Sequence, residues 1–351
     1  MKIVVFGLSI TSSWGNGHAT TYRGLLREMA KRGHDILFLE RDARWYAAHR
    51  DLPEPSFCKT LIYNSLETLF SDHGPEICAA DCVIVGSYVH QGIEVGQWVT
   101  KHANGLTAFY DIDTPVTLAA LAQGECSYLS SDLIPDYDLY LSFTGGPTLD
   151  QIELQYGSRA ARPLYCSVDP QVHYPVPMTP RWDLGYLGTY SSDRQPGLER
   201  LLCQPAGTWS KGRFVVAGAQ YPPEIAWAKN TQRIEHLPPE CHSEFYCAQR
   251  FTLNLTRMQM QLAGYSPSVR LFEAAACAVP VISDEWPGLE HFFVPGEEIL
   301  LASSSEQVLR ILKSFPEDER RALGERARER ALKSHSAVFR AEELEGYLTS
   351  G

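Results

Sequence analysis

The chain has 351 residues, of which 44% are hydrophobic and 21% are charged, and its formal net charge is -11. This length suits about two domains, each with its own core, and the composition is that of a globular protein. The negative charge argues against a protein that holds nucleic acid by its phosphates, because that mode needs a clustered basic surface.

Apolar runs alternate with helical patterns through the first half of the chain. A predicted helix at 19–31 places Leu25, Leu26 and Met29 on one stripe, and Gly33 ends it. The predicted strands of this half are 3–8, 36–40, 82–85, 106–110 and 139–143. This order is typical of a parallel sheet built from βαβ units.

The loop after the first strand carries glycines and a histidine. Gly15 and Gly17 allow the backbone to approach a ligand, and His18 can act as a base near neutral pH or, alternatively, cap the following helix. The loop lacks the tight turn and the third glycine of a dinucleotide fingerprint. Glu40, at the end of the second strand, nevertheless stands where such folds carry their ribose-binding acid, so a nicotinamide-dependent alternative stays open.

Polar residues and a glycine turn follow two later strands of this half. Asp111 and Asp113 come after the strand at 106–110, in a pattern that resembles the Asp-x-Asp metal motif. Asp113 can instead cap the next helix, so we favour a substrate or catalytic contact, above all at Asp111, over a metal site. Gly145 and Gly146 follow the strand at 139–143, either as a substrate contact or as a plain turn.

A proline-rich stretch at 168–181 marks the predicted domain boundary. We place one Rossmann-like domain at 1–170 and a second at 171–335, followed by a helix in 336–351 that can cross back to the first domain. The predicted strands of the second domain are 184–187, 214–217, 252–255 and 279–283. Two such halves are expected to face each other across a cleft that holds the site.

The second domain opens with a strand that ends in a glycine loop. Gly188 and Thr189 lie at the end of this strand, and Arg194 precedes the next helix. A guanidinium at this position could neutralise a leaving diphosphate, although loop arginines are commonly only solvated.

The segment at 266–283 predicts a capped helix that leads into a strand. Ser266 is a good N-cap and Pro267 suits the first helical position, so the first-turn N–H groups of 268–270 could receive a phosphate. Glu273 lies within two turns of that end, where its carboxylate could accept hydrogen bonds from ribose hydroxyls. The alternative is a surface ion pair with Arg270, but the apolar flanks favour a wrapped helix and a ligand contact.

Composition also bears on location and cofactors. No apolar stretch approaches the length of a membrane span, and the opening residues form a strand rather than a secretory signal. The nine cysteines include no C-x-x-C pair, and the spacing of Cys241, His242 and Cys247 matches no common zinc pattern. We expect a soluble cytoplasmic protein with no cofactor, no metal and no nucleic-acid partner.

These motifs together resemble the GT-B glycosyltransferases, and most closely the bacterial glycosyltransferase-like proteins of the CgeB type. The likeness covers nearly the whole chain and is strongest at 185–194, 235–239, 251–256 and 267–283. In related retaining enzymes a Glu-x7-Glu element flanks the phosphate loop. Its second glutamate, which holds the donor ribose, corresponds to Glu273, and its first corresponds to Tyr265.

The resemblance implies a metal-independent transferase that moves a sugar from a nucleotide-diphosphate sugar to an unidentified acceptor. The donor-binding residues that it and the motifs predict are Gly188, Thr189, Arg194, His236, Leu237, Ser266, Ser268, Val269, Arg270 and Glu273. The predicted acceptor contacts are Gly15, Asn16, Gly17, His18, Asp111, Asp113, Gly145 and Gly146. Catalytic roles are predicted for His18, Asp111 and Arg194, with His18 as the base if the anomeric configuration inverts.

Two other functions stay open at this point. One is an NAD(P)-dependent oxidoreductase that uses Gly15, Gly17 and Glu40. The other is a non-catalytic protein that keeps the fold only to bind sugar nucleotides.

Overall fold

The computed structural model describes residues 1–14 and 17–349. The chain divides into two compact units, and the second consists of Val168–Ser336. The first unit comprises residues 1–167 together with the C-terminal residues from Ala337 onward.

The first unit is built on a seven-stranded sheet in which every neighbouring pair is parallel. Its strands are β1 (Lys2–Gly7), β2 (Asp35–Arg41), β3 (Lys59–Tyr63), β4 (Cys82–Gly86), β5 (Leu106–Asp111), β6 (Leu139–Ser142) and β7 (Ala161–Pro163). Their order across the sheet is β3-β2-β1-β4-β5-β6-β7.

Helices connect these strands on both faces of the sheet. They are α1 (Gly17–Lys31), α2 (Arg44–Ala47), α3 (Leu66–Cys78), α4 (Gly92–His102), α5 (Thr114–Gln123) and α6 (Pro147–Tyr156), with a 3-10 turn at Ser131–Asp136. Ser65 caps α3 by accepting a hydrogen bond from the Thr68 amide, and Gly124 ends α5 in the left-handed conformation.

The second unit contains a six-stranded parallel sheet with the order β10-β9-β8-β11-β12-β13. Its strands are β8 (Trp182–Leu187), β9 (Phe214–Ala217), β10 (Thr231–Ile234), β11 (Gln249–Asn254), β12 (Val281–Ser283) and β13 (Leu300–Leu301).

Seven helices accompany this second sheet. They are α7 (Gln195–Leu198), α8 (Gln204–Thr208), α9 (His242–Cys247), α10 (Met258–Ala263), α11 (Val269–Ala276), α12 (Ser305–Ser314) and α13 (Glu317–Ser334). A π-helical turn at Glu199–Cys203 joins α7 to α8, and 3-10 turns lie at Pro239–Cys241 and Leu289–His291.

The last helix, α14 (Ala337–Thr349), belongs to the first unit, where it packs against α1. Arg32, just beyond α1, forms ion pairs with Glu345 and Glu342, and His34 Nε2 lies 3.1 Å from Glu345 Oε1. The two Arg32 pairs are solvated and contribute little to stability, whereas apolar contacts such as those of Leu344 and Leu348 bury one side of the helix.

Alternation along the central strands fills two core layers in the first unit. Val4 and Phe6 face one layer, whereas Ile3 and Val5 face the other. Both sheets thus lie between apolar layers, as parallel sheets require, and the predicted α/β class with two Rossmann-like halves is confirmed. Among the helices of the described residues, none is long and apolar enough to cross a membrane.

Candidate active site

In the second unit, the sheet order reverses between β8 and β11, and open α/β sheets bind ligands at the carboxyl ends of strands at such a point. Gly188 directly follows β8. A Cβ added there would lie 2.7 Å from the Tyr186 hydroxyl and 3.0 Å from Nη2 of Arg270. A larger residue would therefore displace the side chains that surround this loop.

Helix α11 begins at Val269 and has Ser268 at its N-cap position, so the predicted start at Ser266 and Pro267 is wrong by two residues. The Ser268 hydroxyl makes no capping bond and instead accepts a hydrogen bond from Arg270 Nη1 at 3.3 Å. The amides of Val269 and Arg270 lie in the first turn, where an α-helix supplies no carbonyl to pair them. This end of α11 therefore retains the capacity to bind an anion.

Arg270 is buried beside the ends of β8 and β11. Its Nε donates to the Leu187 carbonyl, its Nη1 donates to Asn254 Oδ1 at 3.2 Å, and its guanidinium lies 5.0 Å from the centre of the Tyr186 ring. The alternative of a surface ion pair with Glu273 is wrong, because both residues are buried and Arg270 uses its donors elsewhere.

Arg194 and Arg257 add positive charge to the same end of the sheet. Arg194 is the N-cap residue of α7, and its Nη2 donates to the Thr189 carbonyl at 2.8 Å. Burial lowers the pKa of Arg194, and the nearby charges of Arg270 and Arg257 lower it further. Asp193 offsets part of this charge, with Oδ2 at 3.5 Å from Arg257 Nε. Arg194 thus lies close enough to two other guanidinium groups to feel their charge, and such a group of cations favours a polyvalent anion such as a diphosphate.

Glu273 lies one turn into α11 and is only 6% exposed. The Tyr246 hydroxyl donates to its Oε2 at 2.9 Å, and His173 Nε2 lies 3.6 Å from its Oε1. Burial alone raises the pKa of Glu273, but the charges of His173 and His242 and the Tyr246 hydrogen bond together bring it below its ordinary value. The carboxylate is therefore ionised at neutral pH and can accept hydrogen bonds.

His173, His242 and Glu273 place three potential ligand atoms within 4.8 Å of one another, and in the part of the chain that the structure describes they form a group able to hold a metal ion. His173 is 1% exposed, and neither of its ring nitrogens has a hydrogen-bond partner among the described residues. The group joins residues from the proline-rich stretch, α9 and α11, which sequence spacing cannot reveal.

The remaining predicted donor contacts follow β10. His236 is exposed, whereas Leu237 is half-buried and packs against the core cluster that contains Trp182 and Phe245. Leu237 thus has a structural role in addition to any contact with a base.

In the first unit, the sheet order reverses between β1 and β4. His18 lies in the first turn of α1, half-buried, with its ring centre 5.8 Å from that of Tyr88. Burial lowers the pKa of His18, and the Asp113 charge raises it by less. The imidazole is therefore neutral at pH 7 and able to accept a proton. Of the predicted loop residues, Gly15 and Asn16 lie outside the described residues, and Gly17 begins α1.

Asp113 occupies the N-cap position of α5, but its side chain makes no capping bond. It accepts a hydrogen bond from the Tyr88 hydroxyl at 2.9 Å instead. The negative charge of Asp113 thus raises the pKa of His18, and Tyr88 contacts both residues.

Asp111 is fully buried, so the predicted acceptor or catalytic contact at this residue is wrong. Its Oδ2 accepts from the Tyr140 hydroxyl at 2.6 Å, and its Oδ1 accepts from the Thr117 hydroxyl at 2.8 Å and from the Asp113 amide. Burial raises the pKa of Asp111 to about 6, although these hydrogen bonds oppose the shift. Asp111 is a structural carboxyl that ties β5 to β6 and α5.

Asp111→Asn is expected to change the pH dependence of stability. Because the pKa of Asp111 is about 6 in the folded chain and 3.8 ordinarily, its contribution to stability is full below pH 3.8 and is lost as the pH rises through 6. The contribution is on the order of 3 kcal/mol. Urea unfolding of the wild type and of Asp111→Asn between pH 4 and 7 should show that the free energy of unfolding of the variant lacks this pH-dependent loss. Parallel curves would contradict the assignment.

Glu40 is fully buried, and its carboxylate is occupied by the loop after β1. Its Oε2 accepts from the amides of Ile10 and Thr11 at 2.8 and 3.0 Å, and its Oε1 accepts from the Thr11 hydroxyl at 2.6 Å. The acid on which the nicotinamide alternative depends is therefore not available to a ribose.

The glycine turn after β6 has a structural explanation. A Cβ at Gly145 would lie 1.9 Å from the Tyr165 hydroxyl, and Gly146 has φ 57° at the N-cap of α6. Both residues are required for the turn, and a contact with the acceptor stays a prediction.

Part of the chain matches a known family model, and the whole chain matches solved structures in its fold. Residues 194–346 match the family model described as glycosyl transferase-like. A comparison with the curated proteins finds no match. Sucrose-phosphate synthase from Thermosynechococcus elongatus is 16% identical, with a TM-score of 0.69, over 100% of this chain and 98% of that chain.

Two further solved structures carry nucleotide ligands. HepE of Anabaena, in complex with UDP-glucose, is 12% identical with a TM-score of 0.71 over 100% of both chains. An alpha-glucosyltransferase in complex with UDP is 13% identical with a TM-score of 0.72 over 99% of this chain and 100% of that chain. The chain therefore has the GT-B fold, as predicted, and its residues 194–346 match the glycosyl transferase-like family model, while the CgeB-type subgroup stays a prediction.

Proposed function

We propose that this chain is a metal-independent glycosyltransferase that moves a sugar from a nucleotide-diphosphate sugar to an acceptor hydroxyl. The observation that carries the proposal is the convergence of Arg194, Arg257 and Arg270 with the first turn of α11, one turn before an ionised, buried Glu273. A diphosphate joined to a ribose has the charge and the hydroxyls that this arrangement can bind.

In the donor site, the amides of Val269 and Arg270 and the Arg194 guanidinium bind the diphosphate. Arg194 stabilises the negative charge that grows as the glycosidic bond breaks. Glu273 accepts hydrogen bonds from the ribose hydroxyls, and the Tyr246 hydroxyl holds its carboxylate in place. Ser268, Gly188 and Thr189 shape the backbone around the phosphates, and His236 and Leu237 lie beside the base.

On the acceptor side, neutral His18 accepts the proton of the attacking hydroxyl. Asp113 stabilises the imidazolium that results, because its carboxylate already raises the pKa of His18. Metal ions have no step in this mechanism, since arginines and helix amides neutralise the diphosphate. Groups of the protein therefore stabilise the negative charge on the diphosphate that a cation would otherwise stabilise.

The proposal is tested by calorimetric titration of UDP, GDP, dTDP and NAD, each with and without EDTA. We expect a nucleoside diphosphate to bind. Glu273→Gln should lower the affinity for this nucleotide by about tenfold or more, because the variant loses a charged hydrogen-bond acceptor. Gln is preferable to Ala, since Ala would leave the buried Tyr246 hydroxyl unpaired and lower the stability.

Glu244→Gln is the matched control, because Glu244 is an exposed carboxylate of α9 in the same unit. Binding of NAD alone would overturn the proposal in favour of an oxidoreductase. Nucleotide binding that vanishes in EDTA would overturn metal independence, and binding without any donor turnover would favour a non-catalytic role.

A further inference from the structure

A cavity of about 330 Å³ lies in the first unit at the carboxyl ends of β1 and β4, where the strand order reverses. Its lining includes Gly7, Arg41, Trp45, Tyr46, Tyr88 and Tyr128. The volume is at the lower end of the range for small-molecule sites, which suits one or two rings.

Four of the side chains that line this cavity are those of tryptophan or tyrosine. The rings of Tyr88 and Tyr128 lie 4.7 Å apart, and Trp45 packs edge-on to Tyr46 at 5.9 Å. Trp45 is 59% exposed, so its indole face is accessible to a ligand in the cavity. Flat aromatic faces of this kind pack against the apolar face of a sugar ring or of another planar ring.

Arg41 supplies a charge that has no carboxylate partner among the residues that the structure describes. Its guanidinium lies 5.8 Å from the Tyr63 ring, and its Nη1 is buried with no hydrogen-bond partner among the described residues. The neighbouring acids are already engaged, since Glu40 holds the loop after β1 and Asp42 pairs with Arg50 at 2.8 Å. A half-buried guanidinium in this position favours a ligand with a carboxylate or a phosphate.

The backbone that forms one wall is held in an unusual conformation. Tyr88 has φ 64° and Gln91 has φ 56°, in the left-handed region that bulky residues rarely adopt. Such conformations cluster at ligand sites. Tyr88 also contacts His18 and Asp113, so the cavity adjoins the proposed base.

We propose that this cavity binds the acceptor and that the acceptor is a ring compound, such as a saccharide, bearing one carboxylate or phosphate. The assignment of the ligand as acceptor rests on the proposed function, whereas the recognition of an anionic ring rests on the cavity alone. The aromatic walls bind the ring, Arg41 binds the anionic group, and a hydroxyl of the ring reaches His18.

Ligand-observed NMR with three probes tests this inference: methyl β-glucoside, methyl β-glucuronide and glucose 6-phosphate. We expect the wild type to bind at least one anionic probe about tenfold or more tightly than the neutral glucoside. The two anionic probes distinguish a carboxylate from a phosphate. Arg41→Gln should remove this preference, and Arg41→Lys should restore part of it.

Arg44→Gln is the matched control, because Arg44 is an exposed arginine of α2 outside the cavity lining. Trp45→Ala, at an exposed position that folding tolerates, should weaken all three probes. Equal binding of neutral and anionic probes, or equal effects of Arg41→Gln and Arg44→Gln, would overturn the inference. UDP titration of the same variants reports separately on the donor site, so the failure of one proposal is distinguishable from the failure of the other.

Discussion

Replacing His18 by glutamine is expected to lower kcat by about 10²- to 10⁴-fold, because general-base catalysis contributes that much when a positioned side chain accepts the proton. The wild-type rate should fall as the pH drops through the His18 pKa, which burial places below the ordinary value of 6.5. The acid limb of the profile should therefore lie below pH 6.5 in the wild type and be absent from the variant. Release of the nucleoside diphosphate, with a donor and an acceptor that the wild type uses, measures both effects.

His102→Gln is the matched control for this variant, since His102 is an exposed histidine at the end of α4. The affinity for UDP should be the same in both variants, because His18 belongs to the first unit and the donor residues belong to the second. A His18 variant with wild-type turnover, or with an unchanged acid limb, would remove His18 from the mechanism.

Replacing Arg194 by glutamine is expected to lower kcat by about 10²- to 10³-fold, comparable to the loss of one oxyanion donor in other enzymes. The effect on kcat should exceed the effect on UDP affinity, because charge on the diphosphate grows as the bond to the sugar breaks. Steady-state kinetics with a donor that the wild type uses, together with titration of the corresponding nucleoside diphosphate, separates the two quantities.

Arg200→Gln serves as the control for Arg194, since Arg200 is exposed in the π-helical turn that follows α7. Equal losses in the two variants would assign both to a general loss of positive charge. An Arg194 variant that loses UDP affinity but keeps kcat would restrict this residue to ground-state binding.

The central strands of both sheets were predictable, whereas the outer ones were not. The apolar runs of β1, β4 and β5 are buried on both faces and read directly as parallel strands. The strands missing from the sequence prediction are β3, β7, β10 and β13, which are the four edges of the two sheets. Edge strands are short and partly solvated, as Thr231–Ile234 in β10 shows, so their sequences lack a continuous apolar run.

The misassignment of Asp111 has a similar cause. Its position after an apolar strand indicates a residue at the ligand-binding edge of the sheet. The position does not indicate on which face of the sheet the side chain lies. Phe109, two residues earlier, packs in the same layer as Tyr128 and Tyr140, and Asp111 continues that face. Asp113, beyond the strand, is the acid that acts on His18.

Residues that meet only through the fold were missed altogether. Arg257 lies close enough to Arg194 for its positive charge to lower the pKa of Arg194, and His173 from the proline-rich stretch lies beside Glu273. A local pattern cannot reveal such contacts, because 100 residues of chain separate His173 from Glu273. The helix at 269–276 was predictable because capping and apolar flanks are local signals, although its start was misplaced by two residues.

A crystal structure of the complex with UDP would show whether the first turn of α11 and Arg194 hold the diphosphate of the donor. We expect phosphate oxygens within hydrogen-bond distance of the Val269 and Arg270 amides and of the Arg194 guanidinium, with a ribose hydroxyl on Glu273. UDP bound away from these groups, or with its ribose against another acid, would contradict this expectation.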